Sequence, residues 1–324
     1  MSAVTIGKID GPIFEHAKFF QSGQVFEDEM DRVMTSHLES RLRVACLQME
    51  PRVGHKEANL VRSLELLALA AEAGAQLAVL PELCNSGYVF ETREEAFALS
   101  EEVPAGESCQ AWLDAARKHS LYIVAGITER ERDKLYNSAA VLGPNGHVGT
   151  YRKNHLWGAE NLFFEPGDLG VPVFHIGAGR IACAICYDLW FPEIFRLAAL
   201  QGADLLCVPT NWVPMPAQPE NFPVMANILA MGGAHSNSMF VAAADRVGVE
   251  RAQPFLGNSL IVSHTGWPLA GPASSDREEM LIADLNLSDA RRKRNLNEFN
   301  QLLRDRRTDL YDEMLGAPAK AGWY

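Results

Sequence analysis

The 324-residue sequence has no apolar run approaching the roughly 20 residues that span a bilayer. Its first residues lack the basic stretch and apolar core of a secretory signal, so none is expected. It also lacks a basic excess. Against 41 Asp and Glu there are 29 Lys and Arg, and the formal net charge of -12 argues against nucleic-acid binding, which wants a basic face. There is no disulfide framework. The six cysteines, at 46, 84, 109, 183, 186 and 207, lie mostly within apolar runs and suit a reducing compartment. No low-complexity linker divides the chain. What remains is a sequence 48% hydrophobic, enough for a large core. The expectation is a cytoplasmic globular protein with neither a nucleic-acid nor a membrane partner.

Residues 1–41 stand apart from the rest. Phe26, Met30, Val33, Met34, His37 and Leu38 fall at helical spacing, which predicts an arm packed on its own domain or on a neighbouring subunit. From Arg43 onward short apolar strands alternate with helical patterns. Strands are predicted at Val44–Met49, Gln76–Leu80, Tyr122–Thr128, Ser138–Leu142 and Val148–Leu156, with helices around Leu60–Ala71 and Cys109–Lys118. The second half echoes the first. Val173–Ile176, Ile181–Ile185, Asp204–Val208 and Phe240–Ala244 read as strands, with helices over Pro192–Leu200 and Phe222–Ala234. Ser259–Val262 and Met280–Ala283 are predicted to pair late, before a polar helix near Asp289. The pattern describes one α/β domain of two similar halves, strands inside and helices outside, with two sheets face to face. The domain is expected over 42–312, with a tail at 313–324.

The stretch Arg180-Ile-Ala-Cys-Ala-Ile-Cys-Tyr-Asp-Leu-Trp-Phe-Pro-Glu193 carries the strongest chemical signal. A thiol where a buried strand ends and a helix begins is held rigidly and faces the sheet edge, which is where a nucleophilic cysteine belongs. The competing reading makes both Cys183 and Cys186 small core residues. The Cys-x-x-Cys spacing also matches a redox pair, but residues three apart on a strand point to opposite faces, so the sulfurs should diverge. Two further ionisable residues sit where apolar strands stop: Glu82 after Leu77–Pro81, and Lys153 in Tyr151-Arg-Lys-Asn-His-Leu156. Each alone has a plain alternative, a cap or a solvated charge. The order Glu, Lys, Cys is more specific.

Pro81-Glu82-Leu83 with Ser86-Gly87-Tyr88, the Tyr151–Leu156 segment, and Ile185-Cys-Tyr-Asp-Leu-Trp-Phe-Pro-Glu193 resemble the three signatures of the nitrilase superfamily of carbon–nitrogen hydrolases. The resemblance runs from about 43 to 312. It includes Phe163–Gly167, Asp245-Arg-Val-Gly248, Gly257-Asn-Ser259 and Arg307–Tyr311, and it leaves the first 40 residues uncovered. It implies a four-layer α-β-β-α sandwich that forms a homo-oligomer, a dimer or higher. It also implies a cysteine-dependent hydrolase of non-peptide C–N bonds with no cofactor and no metal.

In such an enzyme Cys186 attacks, Glu82 takes its proton and later activates water, and Lys153 holds the oxyanion with the backbone N–H of Tyr187. His155 is the rival base, assigned a supporting role because the resemblance gives the base to the glutamate. Glu160 matches a second glutamate near the lysine, with Glu165 as its alternate. The loop Thr210-Asn-Trp-Val-Pro-Met-Pro216 is expected to line the acyl pocket through Asn211 and Trp212, along with Trp157 and Trp190; packing is the alternative for these aromatics. Cys186-Tyr-Asp188 differs from the Cys-Trp-Glu of nitrile-hydrolysing members, which points to a small-molecule primary amide as substrate. An N-carbamoyl amine or amino acid is the alternative, and a nitrilase or a non-catalytic binding protein is less favoured. No Lys or Arg lies between Arg196 and Arg246, so the loop within that stretch offers a substrate carboxylate no cation.

Overall fold

The apolar runs form strands buried on both faces, which is why they read as continuous hydrophobic stretches rather than alternating ones. The computed structural model describes residues 40–219 and 221–315. The first half contributes β1 (Arg41–Gln48), β2 (Leu77–Val79), β3 (Tyr122–Glu131), β4 (Lys134–Gly143) and β5 (Gly146–Arg152). The second contributes β6 (Val173–Ile176), β7 (Gly179–Cys183), β8 (Leu205–Pro209), β9 (Phe240–Ala244), the small pair β10 (Val249–Glu250) and β11 (Gln253–Pro254), β12 (Leu260–Val262), β13 (Pro268–Ala270) and β14 (Glu279–Asn286).

Two six-stranded sheets result, ordered β14-β1-β2-β3-β4-β5 and β13-β12-β9-β8-β7-β6. The centre of each is parallel, β1-β2-β3 in one and β7-β8-β9 in the other, with antiparallel strands at the flanks. This repetition is the echo seen in the sequence. The two late strands do not pair with each other, contrary to expectation. β12 joins β9, whereas β14 crosses to the first sheet and covers the free edge of β1 from Arg41 opposite Asn286 to Gln48 opposite Glu279. Covering that edge removes an open row of backbone donors and acceptors.

Helices α1 (Lys56–Glu72), α2 (Arg93–Leu99) and α3 (Glu107–His119) precede β3, and α4 (Pro192–Leu200) and α5 (Met225–Asn237) lie in the second half. Two short helices follow, α6 (Ser288–Arg292) and α7 (Thr308–Leu315). Leu60, Leu67 and Ala70 of α1 and Trp112 and Ala116 of α3 pack on Ala45, Leu47, Ala78 and Ile123 of the first sheet. The alternate strand residues, Val44, Cys46, Val79 and Val124, belong to the core shared with Ile181, Cys183, Leu205 and Cys207 of the second sheet. Phe195, Ala198, Ala230 and Ala234 of α4 and α5 are part of that same core. The order of layers is therefore helix, sheet, sheet, helix. Each fully buried Val, Leu or Phe in these layers stabilises by about 1.5–3 kcal/mol.

Two strand ends beside the site differ from the sequence reading. β5 stops at Arg152 rather than Leu156, β7 stops at Cys183 rather than Ile185, and a 3-10 turn over Cys186–Trp190 precedes α4. The arm expected over 1–41 lies outside the described residues except for its last two, as does the tail from 316. Among the described residues no helix is long and apolar enough to cross a membrane.

Candidate active site

Glu82 sits just beyond β2, and its backbone is held against β3. Gly126 N donates to Pro81 O at 3.2 Å and Cys84 N to Gly126 O at 3.0 Å. A Cβ on Gly126 would lie 2.3 Å from Pro81 O and 2.5 Å from Glu82 Cα, so only glycine permits this approach. The Glu82 side chain is 0% exposed. Its Oε1 accepts from Asn137 Nδ2 at 2.7 Å and from Lys153 Nζ at 2.6 Å, while Oε2 has no partner.

Lys153 stands one residue past β5 but remains in the backbone ladder. Its N–H donates to Asn137 O at 2.8 Å, and its carbonyl accepts from Gly167 N at 2.8 Å. Fixed at both sides and 1% exposed, it aims Nζ at Glu82 and at Glu160 Oε1, 2.7 Å away. Glu160 is itself 4% exposed and accepts from Tyr88 OH at 2.6 Å. Glu165, the alternate for this place, is exposed.

One ammonium thus faces two carboxylates in a dry site. Burial, reinforced by the charge of Glu160, pushes the Glu82 carboxyl up to about 7 against the pull of Lys153 and Asn137. Burial alone would lower the Lys153 pKa, but Glu160 and Glu82 outweigh it and hold the ammonium charged.

Cys186 opens the 3-10 turn with φ +46°, a left-handed backbone uncommon outside glycine and often found where strain serves a site. Asp188, fully buried, builds this turn. Its Oδ2 accepts from Ile185 N at 2.9 Å and Tyr151 OH at 2.6 Å. Its Oδ1 accepts from His155 N at 3.0 Å and His155 Nδ1 at 2.8 Å. His155 also stacks on Phe191, ring centroids 3.5 Å apart. With Nδ1 committed to Asp188, the imidazole supports the turn and is not arranged as a base for the thiol. Because β5 ends at Arg152, His155 lies beyond the strand predicted to run to Leu156.

The Cys186 thiol is 6% exposed. Burial first and Glu82 second raise its pKa well above the ordinary range, while Lys153 opposes them. Cys183 faces the core, where it pairs in register with Cys207 and neighbours Cys46 through it; all six cysteines are free. Cys183 and Cys186 form no disulfide with each other here.

Trp157, Tyr187, Trp190, Asn211, Trp212, Val213 and Met215 close around Cys186, leaving a cavity of about 10 Å³, roughly one water. The four pocket residues expected from the sequence, Trp157, Trp190, Asn211 and Trp212, are in this wall, as is Tyr187. A second cavity of about 280 Å³ adjoins it across Trp157 and Val213, lined by Tyr88, Phe90, Phe163 and Glu160 among others. Neither is lined by Lys or Arg among the described residues. Arg246 lines neither cavity; it is buried, donating to Pro51 O, paired with Glu250 and stacked over Phe255.

The sequence reading missed Asn137, and it assigned no role to Tyr88, Asp188 or Thr210. Asn137 carried a usable signal, an amide beside the apolar strand Ser138–Leu142; the others become meaningful only through register and turn geometry.

Fold and site together define an α-β-β-α sandwich enzyme with a carboxylate, an ammonium and a thiol gathered at strand ends. Residues 43–295 match the family model described as carbon-nitrogen hydrolase. A protein named nitrilase from Pyrococcus abyssi (strain GE5 / Orsay) is 43% identical over 270 residues, covering 83% of this chain and 99% of that one. An N-carbamoylputrescine amidase from Solanum lycopersicum is 30% identical over 274 residues, covering 79% and 89%. Among solved structures, a double mutant of the amidase from Nesterenkonia sp. AN1 in complex with acrylamide superposes with a TM-score of 0.69 at 26% identity, covering 85% of this chain and 97% of that one. The chain belongs to the carbon–nitrogen hydrolase family, within the nitrilase superfamily, and is a hydrolase of C–N bonds other than peptide bonds.

Proposed function

We propose that the protein hydrolyses a small primary amide with a neutral or modestly polar acyl group, through a thioester on Cys186. The observation that carries this reading is Lys153 Nζ, held 2.6 Å from Glu82 and 2.7 Å from Glu160 in the site that contains the thiol. Glu82 takes the thiol proton as sulfur attacks the carbonyl carbon. Lys153 and the Tyr187 N–H hold the resulting oxyanion; losing one such donor costs ~100- to 1000-fold. Glu82 returns its proton to the departing nitrogen and ammonia leaves. A water then gives its proton to Glu82, attacks the thioester and releases the carboxylate and the thiol. A carboxyl near 7 suits both transfers, because it gains and loses a proton easily at neutral pH.

Absence of Lys or Arg from the lining of both cavities supports a substrate without a carboxylate, since an unpaired buried anion is costly. A second reading is an N-carbamoyl amine. The larger cavity presents Tyr88, Phe90, Trp157 and Glu160, a lining that tolerates a cationic tail, and one relative bears the name N-carbamoylputrescine amidase. A homo-oligomer in a reducing cytoplasm completes the proposal, supported by six free thiols and by apolar side chains exposed on α4 and α5.

The deciding experiment measures kcat/KM for matched neutral, cationic and anionic amides, an N-carbamoyl amine and the corresponding nitrile, with mass spectrometry for the acyl-enzyme. The neutral amide should lead. A lead for the anion or the nitrile overturns the reading, and a lead for the carbamoyl amine installs the second one.

A further inference from the structure

The parallel pairing of β7 with β8 sets Ile181 opposite Leu205, Ala182 opposite Leu206 and Cys183 opposite Cys207. Three residues further along each chain, Cys186 falls opposite Thr210. The β7 chain has by then left the ladder, after a last bond from Ala184 N to Cys207 O at 3.1 Å. The β8 chain continues, and Thr210 N donates to Ala244 O of β9 at 3.0 Å. Successive strand N–H groups point to opposite sides, so the next donor, Asn211 N, faces the gap that β7 vacated. Cys186 and Asn211 line one cavity there.

Thr210 is fully buried, and its Oγ1 has no hydrogen-bond partner in the resting site. Leaving a buried hydroxyl unpaired costs free energy. We infer that the Thr210 hydroxyl, together with the Asn211 backbone N–H, is the donor pair that holds the Cys186 sulfur in its anionic form. This rests on the reading of Cys186 as the nucleophile. The neutral thiol offers a weak acceptor and the thiolate a strong one, so the contact strengthens only as the proton leaves, which is the form of binding that accelerates a reaction.

The balance of charges around the sulfur agrees. Burial and Glu82 oppose ionisation, whereas Lys153, the Thr210 side chain and the Asn211 N–H favour it. Glu160 and Tyr88 reach the sulfur's surroundings through Lys153. Lys153 is already bonded to two carboxylates and is needed by the oxyanion. Thr210 and Asn211 leave it free for that task.

The test compares Thr210→Val, which keeps the shape and removes the hydroxyl, with Thr210→Ser, which keeps the hydroxyl. Iodoacetamide alkylation of Cys186 is followed by site-resolved mass spectrometry across pH, beside kcat/KM for the best amide. Losing a hydrogen bond to a charged group should slow alkylation near neutral pH by about tenfold or more, raise the apparent thiol pKa by about 1, and lower kcat/KM comparably in the Val variant. Ser should restore all three. A Val variant with the wild-type pH profile, or a Ser variant as impaired as Val, overturns the inference. Should Val fail to fold by circular dichroism, Thr210→Ala replaces it against Ser. If wild-type Cys186 is alkylated no faster than the other five cysteines, the nucleophile assignment falls as well, which separates the two failures.

Discussion

Glu82 and Glu160 share one cation: their Oε1 atoms lie 2.6 and 2.7 Å from Lys153 Nζ. With both ionised the buried group carries one negative charge in excess. Burial first, and that excess through Glu160, raise the Glu82 carboxyl to about 7.

The base must be ionised to act, so kcat/KM should fall on the acid side with an apparent pKa near 7. Glu82→Gln should lose ~100-fold or more in both acylation and deacylation, read by single-turnover kinetics, because in the proposed mechanism one carboxyl serves both steps. Stability carries the same signature. A carboxyl raised in the folded state from 4.5 to about 7 favours folding fully below about 4.5 and loses that contribution as pH rises through 7. Urea titrations should show wild type declining relative to Glu82→Gln across that window; parallel curves would contradict the raised pKa.

Asn137 Nδ2 lowers the Glu82 pKa by donating to its carboxylate. Removing the amide in Asn137→Leu should therefore move the acid limb of the rate profile to higher pH and cut activity at neutral pH by about tenfold. A limb that stays in place would deny Asn137 this role.

Cys186→Ala should abolish turnover and the acyl-enzyme mass. Cys183→Ala should keep most turnover while losing about 1 kcal/mol of stability, as its sulfur only fills core space. Equal loss of activity from both substitutions would count against Cys186 as the sole nucleophile.

Gly126→Ala places a Cβ 2.3 Å from Pro81 O and so displaces the backbone of Glu82. A cost of about 1–3 kcal/mol is expected, with activity falling further than stability predicts. Thermal melts and kcat together check this.

Leu197 and Leu200 of α4, Met225 and Ile228 of α5, and Leu296 and Phe299 are all exposed. A second copy is the proposed cover. Light scattering should give at least a dimer, and Ile228→Glu should weaken it; a wild-type monomer at micromolar concentration would end the idea.

How much of this was legible beforehand follows a physical rule. Glu82, Lys153 and Cys186 could be singled out because each stands where a strand stops and because their order, with the flanking motifs, resembles the nitrilase superfamily; alone, each had a plain alternative. The two-sheet sandwich was readable because each half repeats strand and helix in the same order. Thr210 was not assigned a role of its own, since a hydroxyl after an apolar strand is ordinary until register sets it against a reacting atom; the amide of Asn137 beside its apolar strand was a signal passed over. The ends of β5 and β7 were placed too late because Leu156 and Ile185 prolong the apolar pattern, while the chain turns earlier to satisfy Asp188. The position of β14 was missed because pairing with β1 spans the whole domain and leaves no local trace.

The site straddles a seam. Glu82 and Lys153 hang from the first sheet, Cys186 and Thr210 from the second, and between the sheets lie Cys46, Val79, Cys183 and Cys207. A shear of about 1 Å along that seam would leave every strand ladder intact, yet misplacement on this scale costs about 100-fold in rate. Turnover is thus a strain gauge for the interior. A core change that slides one sheet past the other registers in the kinetics before it registers in the melting curve, whereas Cys183→Ala, which only vacates core space, registers in the melting curve.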